Sequence, residues 1–406
     1  MTGSIYHDPT DFTMRLFFQI NLVEPSPTLS ITAKANALKA DGVDIISFSA
    51  GEPDFDTPEP IVEAAKAALD AGKTRYTAAR GIAPLREAIA EDYARRGREI
   101  DADQVVVTVG GKQALYNATQ VLFQEGDEVV VPSPYWVSYP AQMKLAGAQP
   151  VHLSCGIETD FKLDPEELDR TLSSPEAKGL VLCSPSNPTG AVYTKRELEE
   201  IGDVLEDHPD VAVIFDAIYD QLYYEGDLSP DLVDVKPELK DRVVTFNGFS
   251  KTYAMTGWRL GFALGPDDVI GAMSKIQSQS TSNATTFAQH GALAAFDLPD
   301  ELIARRRRKF KERRGIIVDG LRSTEGVECP MPKGAFYVFP DFSSYCGEER
   351  RFEDDFALTE YLIEEAHIAV VPGSAFGAPG HLRFSYATSN EQIEEGLERL
   401  QGALGG

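Results

Sequence analysis

Seven short apolar runs alternate with amphipathic helical stretches from about residue 105 onward, and this alternation constrains the fold more than any other feature. Near-continuous apolar runs are typical of strands that are buried on both faces. Strands that alternate with helices form a mainly parallel sheet. The sequence therefore predicts an α/β fold around a seven-stranded, mainly parallel sheet, with strands at 104–109, 128–131, 150–153, 179–183, 211–215, 243–246 and 260–264.

Several residues with charged or polar side chains, or with the flexible backbone of glycine, directly follow these runs. Gly110, Asp216 and Lys251 lie at or just after predicted strand ends, as do residues 184–187. Ligands of parallel sheets bind beyond the carboxyl ends of the strands. The sequence therefore predicts that these residues gather at one binding site.

A lysine and an arginine follow the sixth predicted strand. Ser250 and Lys251 come shortly after it, and Arg259 stands eight residues beyond the lysine. Most single lysines are simply solvated. In this setting, however, the lysine is suited to form a Schiff base with an aldehyde cofactor. The arginine is suited to hold the phosphate group of the same cofactor. The pattern indicates pyridoxal phosphate, which stabilises a carbanion at the α-carbon of an amino acid.

Two further positions suit the same cofactor. Gly110 and Gly111 separate a strand from a helix, where glycines let backbone N–H groups approach an anion, so that with Arg259 they would form a phosphate cup. Asp216 ends an apolar strand. It could cap a helix, or it could form an ion pair that keeps the cofactor's pyridine nitrogen protonated.

An aromatic residue and a second arginine complete the candidates that the residue types suggest. Trp136 follows Ser-Pro-Tyr and would either stack on the cofactor ring or belong to the core. Arg383 offers a planar fork that binds carboxylates bidentately, which suits the α-carboxylate of an amino acid, although a surface salt bridge is the alternative.

Composition excludes several classes of partner. The net charge of −26 and the pI of about 4.6 argue against nucleic acid and anionic membranes. The basic run 305–314 is therefore predicted to be a solvated helix face, within a long helix near 301–320, rather than an RNA-binding patch.

The four cysteines are widely spaced and indicate reduced thiols in a cytoplasmic protein, and the six histidines form no metal-binding motif. We therefore expect no metal.

The chain is long enough for a large and a smaller domain. Residues 1–20 carry no signal peptide, and we expect a flexible arm or an annotation artefact with Met14 as the true start. We predict that residues 21–60 form the N-terminal part of the smaller α/β domain. Residues 61–311 would form the large cofactor-binding domain, and residues 312–406 the rest of the smaller one.

The chain resembles the class I, fold-type I aminotransferases from about Leu22 to its C-terminus. It is most similar to the bacterial aspartate aminotransferases that bind the side-chain carboxylate of their substrate with a lysine. The segments that carry this resemblance occur in the order of the family: AGEPDFDTP at 50–58, Tyr76, GGKQA at 110–114, SPYW at 133–136, SPSNPTG at 184–190, DAIY at 216–219, the lysine segment and Arg383.

The resemblance implies roles around the cofactor. Tyr219 and Asn187 would bind its phenolic oxygen, although Asn187 also suits a turn. Ser250 would bind its phosphate, but Gly248 stands where many relatives have a further serine, so one phosphate contact is absent. Tyr76 would reach the phosphate in the neighbouring subunit, which implies a homodimer with shared active sites.

The resemblance also implies a substrate. Residues 277–283 lack the arginine with which other aspartate enzymes recognise the distal carboxylate. Lys112 matches the lysine of the subgroup, and Thr28 and Gly51 match other substrate-binding positions. We therefore expect ping-pong transfer of the amino group from L-aspartate to 2-oxoglutarate, with Lys251 as anchor and proton carrier.

Other activities on the same core are alternatives. Transaminases of prephenate, of aromatic or of branched-chain amino acids would share these residues, and so would a lyase. A cofactor-binding sensor of a transcription regulator would need a separate DNA-binding module, for which about 20 residues before the resemblance leave no room. The net charge of this chain, −26, also argues against DNA binding.

Overall fold

A computed structural model describes residues 18–405 of the chain. Its helices are α1 (Pro27–Ala40), α2 (Glu59–Asp70), α3 (Ala83–Arg95), α4 (Gly111–Leu122), α5 (Ser138–Ala146), α6 (Pro165–Leu172), α7 (Lys195–Asp207), α8 (Leu232–Val235), α9 (Asp267–Ser280), α10 (Thr286–Leu293), α11 (Asp300–Arg322), α12 (Asp355–Glu364) and α13 (Asn390–Leu404). Its strands are β1 (Ile46–Ser47), β2 (Val105–Thr108), β3 (Glu128–Ser133), β4 (Gln149–Ser154), β5 (Ala177–Cys183), β6 (Ala212–Asp216), β7 (Val243–Gly248), β8 (Gly261–Leu264), β9 (Tyr337–Val338), β10 (Ile368–Ala369), β11 (Val371–Pro372) and β12 (Leu382–Ser385).

The central sheet contains seven strands in the order β2-β8-β7-β6-β5-β3-β4. The four pairings among β7, β6, β5, β3 and β4 are parallel, and only β8 runs antiparallel to its two neighbours. Each of the seven predicted strands is present in this sheet, so the predicted α/β fold class is confirmed.

The central strands contain consecutive apolar residues because helices cover both faces of the sheet. Val213 and Phe215 of β6 pack with helices α6 and α7 on one face. Ile214, between them, packs with α4 and α5 on the other face. Successive side chains of a strand point to opposite faces, so a strand in this position needs apolar residues at every position.

A smaller group of elements packs around an aromatic core at the C-terminal end of the chain. It contains the antiparallel sheet β11-β12-β9 and the parallel pair β1–β10. Phe48, from the N-terminal segment, lies 5.6 Å from Phe384 between ring centroids. The N-terminal segment thus packs with the C-terminal one, as expected, while the predicted domain boundaries at residues 20, 60 and 311 stay predictions.

Helix α11 corrects one expectation. It spans the predicted long helix, but its basic residues do not form a solvated face throughout. Arg313 is buried and donates two hydrogen bonds of 2.7 Å to the carboxylate of Asp54. Arg306, also buried, donates to the backbone carbonyls of Thr252, at 3.2 Å, and Asp56. These arginines therefore join the 54–56 loop to the segment that carries Lys251.

The N-terminal prediction lies largely outside the described residues. Of residues 1–20, only the last three are described, and they begin a 3-10 helix, Phe18–Leu22. Within residues 18–405, no helix is long and apolar enough to cross a membrane. The same residues contain no cluster of three potential metal ligands, and all four cysteines are free thiols.

Candidate active site

A cavity of about 440 Å³ lies where β6 and β7 end, and most of the predicted site residues line it. Lys251 and Asp216 meet there with residues from α1, α4 and β12. Two predicted residues, Gly110 and Tyr76, are not among its lining residues. The predicted residues that line the cavity are Thr28, Gly51, Gly111, Lys112, Trp136, Asn187, Asp216, Tyr219, Ser250, Lys251, Arg259 and Arg383.

A larger hollow of about 740 Å³ lies elsewhere on the large domain. Its buried charges are paired with each other: Arg98 lies 3.1 Å from Asp231, and Arg96 lies 2.7 Å from Asp220. These buried charges are balanced by each other and need no ligand as a counterion. The buried cations of the smaller cavity form no ion pair among the described residues, so this cavity is the better candidate.

Lys251 lies three residues beyond the end of β7, where the chain turns into the cavity. Its Nζ atom donates a hydrogen bond to the carbonyl of Gly51 and lies 5.7 Å from the ring centroids of Tyr219 and Phe336. Burial and the nearby Arg383 cation lower the pKa of Lys251 to about 8. The amine is therefore readily deprotonated and suited to nucleophilic attack.

Asp216 is the last residue of β6 and is buried. It accepts hydrogen bonds from the Tyr139 hydroxyl at 2.5 Å and from the Ile218 N–H at 3.0 Å. Burial raises the pKa of Asp216 to about 6 in spite of these donors. No cationic side chain in the described part of the chain forms an ion pair with it, so its charge would best be balanced by a cationic ligand.

Gly110, Gly111 and Arg259 form a cradle at the N-terminus of α4. Gly110 has a φ of +79°, and a Cβ atom built on it would lie 2.6 Å from Nη2 of Arg259. Only glycine therefore allows the arginine to approach the first turn of the helix. Arg259 forms no ion pair within residues 18–405, and the buried Ser250 lies on the same cavity. A helix N-terminus beside an unpaired arginine suits a phosphate group.

Arg383 extends from β12 into the cavity and is also unpaired. It donates from Nη1 to Oδ1 of Asn187, at 3.0 Å, and from Nη2 to the carbonyl of Ser49, at 2.8 Å. Its guanidinium lies 4.6 Å from the ring centroid of Tyr337 and 5.1 Å from that of Phe376. Burial lowers its pKa, which is the cost of holding a cation here without a counterion. A ligand carboxylate would supply that counterion.

A second cationic side chain, that of Lys112 on α4, also lines the cavity. Its Nζ atom is 4.9 Å from the ring centroid of Trp136. Burial, with a smaller contribution from Arg259, lowers the pKa of Lys112. The first turn of α1 faces the same cavity with two hydroxyls, those of Ser26 and Thr28, which lie 2.8 Å apart. This part of the cavity therefore suits a second anionic group.

Several contacts were not predicted from the sequence. Tyr139 contacts Asp216, Ser26 lines the cavity beside Thr28, and the Tyr337 hydroxyl lies 2.9 Å from that of Tyr219. Tyr139 stands three residues after Trp136, one helical turn away, and that spacing could have indicated it. Nothing in the sequence indicated Tyr337, because it comes from a distant segment. Burial raises the pKa of Tyr219 well above its ordinary value, so its hydroxyl is a neutral donor.

The two predicted residues outside the cavity have different positions. Gly110 lies behind the Arg259 side chain and acts on the site only by leaving room for it. Tyr76 is 89% exposed and lies on the surface of this chain. Its predicted role toward a neighbouring subunit stays a prediction.

The residues at this cavity fit pyridoxal phosphate. The cradle of Gly110, Gly111 and Arg259, together with Ser250, suits the phosphate of this cofactor. The carboxyl of Asp216 suits its protonated ring nitrogen. The Lys251 amine, with its lowered pKa, suits the aldehyde. The fit rests on the buried charges that lack partners within the described chain, since each is costly unless a ligand balances it.

Comparisons with known proteins point in the same direction. The family model described as aminotransferase class I and II matches residues 43–400. An aspartate/prephenate aminotransferase of Cereibacter sphaeroides is 46% identical over 389 residues, 95% of this chain and 97% of that protein. An aspartate aminotransferase of Geobacillus stearothermophilus is 45% identical, with 95% and 98% covered.

Solved structures agree in fold over nearly the whole chain. An aspartate aminotransferase from Rhizobium meliloti superposes with a TM-score of 0.92 at 38% identity, covering 97% of this chain and 99% of that one. An aspartate aminotransferase from Thermus thermophilus, solved with maleate, gives a TM-score of 0.91 at 42% identity, covering 97% and 100%.

Proposed function

This chain belongs to the class I and II aminotransferase family, and from that premise we propose that it transfers the amino group of L-aspartate to 2-oxoglutarate. It is a pyridoxal phosphate-dependent transaminase. The observation that supports aspartate is the presence of two separate unpaired cations, Arg383 and Lys112, on one cavity with Lys251. An amino acid with two carboxylates matches two such positions. Maleate, bound by the Thermus relative, is a four-carbon dicarboxylate too.

Lys251 has two tasks in this proposal. Bound pyridoxal phosphate supplies an electron sink for the carbanion that forms at the α-carbon of the substrate. The Lys251 amine anchors the cofactor covalently and, once free, takes the proton from that carbon and holds it at Nζ. A pKa of about 8 suits both tasks near neutral pH, because the amine can lose and gain a proton easily.

The surrounding residues orient and tune the reacting groups. With the cofactor bound, Asp216 would hold the proton on the pyridine nitrogen, and Tyr219 and Asn187 would donate to the phenolic oxygen. Gly111, Ser250 and Arg259 would hold the phosphate, with Gly110 leaving room for the arginine. Trp136 would cover the ring and exclude water from it.

Substrate binding uses the two cationic positions. Arg383 would bind the α-carboxylate, next to Asn187 and the Gly51 loop. Lys112 would bind the distal carboxylate together with the hydroxyl of Thr28. The distance between the two positions would then decide which acids fit.

Replacing Lys112 by alanine tests the proposed substrate. We expect kcat/KM for aspartate to fall about 10- to 100-fold, the effect of losing one charge-assisted hydrogen bond, while that for alanine changes less than about twofold. Steady-state kinetics with both amino acids measure this. Lys275→Ala, which removes an exposed lysine on α9, is the control and should leave both values unchanged. An equal loss for the two substrates would refute a distal-carboxylate role.

The pH dependence of cofactor loading tests the environment of Lys251. Only the neutral amine attacks an aldehyde, so the rate follows the neutral fraction. Because the pKa is lowered to about 8, the loading rate of the cofactor-free protein should rise up to that pH and then level off. The absorbance of the bound cofactor, followed at each pH, measures the rate. A rate that keeps rising toward the ordinary lysine pKa of about 10.4 would contradict the site environment.

Prephenate is the second candidate substrate. The Cereibacter relative carries both aspartate and prephenate in its name. Prephenate is a dicarboxylic oxo acid, so it also offers anions to Arg383 and Lys112. Comparing prephenate with 2-oxoglutarate as amino acceptors would decide between a dedicated and a dual enzyme.

We further propose a cytoplasmic homodimer. Four free thiols suit a reducing compartment. Tyr76, which is 89% exposed in the single chain, would be covered where a second copy binds. Light scattering should give about twice the chain mass of 44.4 kDa, and a single-chain mass would refute the dimer.

A further inference from the structure

A chain of hydroxyl groups joins helix α1 to the residue that positions Arg383. The Ser47 and Ser49 hydroxyls lie 3.1 Å apart, and Ser49 Oγ lies 3.1 Å from Thr32 Oγ1. Thr32 Oγ1 is 2.8 Å from the backbone carbonyl of Thr28. The carbonyl of Ser49, in turn, accepts the 2.8 Å hydrogen bond from Arg383. The chain therefore connects Thr28 with Arg383, and both of these residues line the cavity.

Hydrogen-bond chemistry fixes the direction of this chain. The carbonyl of Thr28 can only accept, so the single hydroxyl proton of Thr32 is donated to it. Thr32 Oγ1 must then accept the proton of Ser49, and Ser49 accepts that of Ser47. Thr32 and Ser49 therefore each donate once and accept once, and Ser47 donates to Ser49. Removing the Thr32 hydroxyl would leave the buried Ser49 hydroxyl without its acceptor on α1.

Few other polar contacts hold α1 in place. Its apolar side packs through Ala35 against Ile363 and Ala369, and such packing is non-directional. Its salt bridge, from Lys34 to Glu364 at 2.8 Å, lies on the exposed surface and contributes little. The Thr32–Ser49 contact is thus a partly buried, directional link between α1 and the rest of the site, and Thr32 bonds in turn to the Thr28 carbonyl in the first turn.

We propose that Thr32 is a positioning residue that sets the preference for dicarboxylates. It would fix Ser26 and Thr28, at the distal end of the cavity, relative to Arg383 at the other end. The spacing between the two carboxylate positions would then match a dicarboxylic amino acid. This inference rests on the proposed function, because it needs Arg383 and the α1 turn to bind different carboxylates of one substrate.

Thr32→Val tests this role, since valine keeps the shape of threonine and removes the hydroxyl. We expect KM for aspartate to rise about 3- to 10-fold, with kcat and the KM for alanine changed less than about twofold. Thr32→Ser keeps the hydroxyl and should restore the aspartate KM. The control is Ser30→Ala, which removes an exposed hydroxyl of the same helix, one that bonds only to the Ser26 carbonyl, and should change nothing.

The outcomes separate the inference from the proposed function. Equal losses for aspartate and alanine, or an unchanged aspartate KM, would overturn the role of Thr32 while the wild-type preference for aspartate stands. A wild-type enzyme without that preference would overturn the proposed function and this inference together. If Thr32→Val fails to fold, Ser49→Ala breaks the same link from the other side and must show the same selective rise in KM.

Discussion

Replacing Lys251 by alanine is expected to reduce turnover with aspartate by more than about 10⁴-fold. A general acid–base group alone contributes about 10²- to 10⁴-fold, and Lys251 would also be the covalent anchor of the cofactor. Lys112 also lines the cavity, but its Nζ atom lies 4.9 Å from the ring centroid of Trp136, whereas that of Lys251 lies over Tyr219 and Phe336. Steady-state kinetics with saturating cofactor measure the loss.

The matched control for this variant is Lys275→Ala, on the exposed side of α9, which should keep full activity. Cofactor binding provides a second readout, because Lys251→Ala should still retain the phosphate cradle around Arg259. Near-normal turnover in Lys251→Ala would show that the reaction does not pass through this amine.

Replacing Asp216 by asparagine should reduce kcat by about 10²- to 10⁴-fold. The change removes a buried negative charge and keeps the shape of the side chain. Breaking a buried ion pair costs about 3–5 kcal/mol, and each 1.4 kcal/mol corresponds to a tenfold change in rate. The loss falls on kcat, because the pyridine nitrogen would lose the group that keeps it protonated during the reaction.

The control here is Asp241→Asn, at an exposed aspartate that does not line the cavity. A further readout separates charge from packing. The asparagine oxygen can still accept from the Ile218 N–H, and its NH2 group can donate to the Tyr139 hydroxyl oxygen, so the unfolding midpoint should change little. A kcat within about tenfold of the wild type would mean that Asp216 does not hold the ring nitrogen.

The strands were predictable because their signal is local. A strand that is buried on both faces, such as β6, is apolar at successive positions, and that can be read from the four consecutive residues 212–215 before Asp216. The same reasoning predicted that Asp216 and Lys251 lie at one edge of the sheet. They do line one cavity, although the roles of the individual residues stay predictions until variants are measured.

Contacts between distant segments could not be predicted in this way. Arg313 pairs with Asp54, which is 259 residues away in the sequence, so a basic run that looked solvated proved to be partly buried. Tyr337 reaches Tyr219 across 118 residues for the same reason. Ser49 contacts Arg383 through its backbone carbonyl, and a sequence carries no signal for a contact of this kind. These interactions depend on the tertiary packing rather than on local pattern.

The most direct test of the proposed transamination is a half-reaction. The purified protein is loaded with pyridoxal phosphate and mixed with aspartate in the absence of any oxo acid, and the products are counted per subunit. We expect one equivalent of oxaloacetate to form and the cofactor to end as pyridoxamine phosphate. The reaction should resume only when 2-oxoglutarate is added. Continued turnover without an acceptor, with release of ammonia or carbon dioxide, would instead identify a lyase and contradict the proposed transamination.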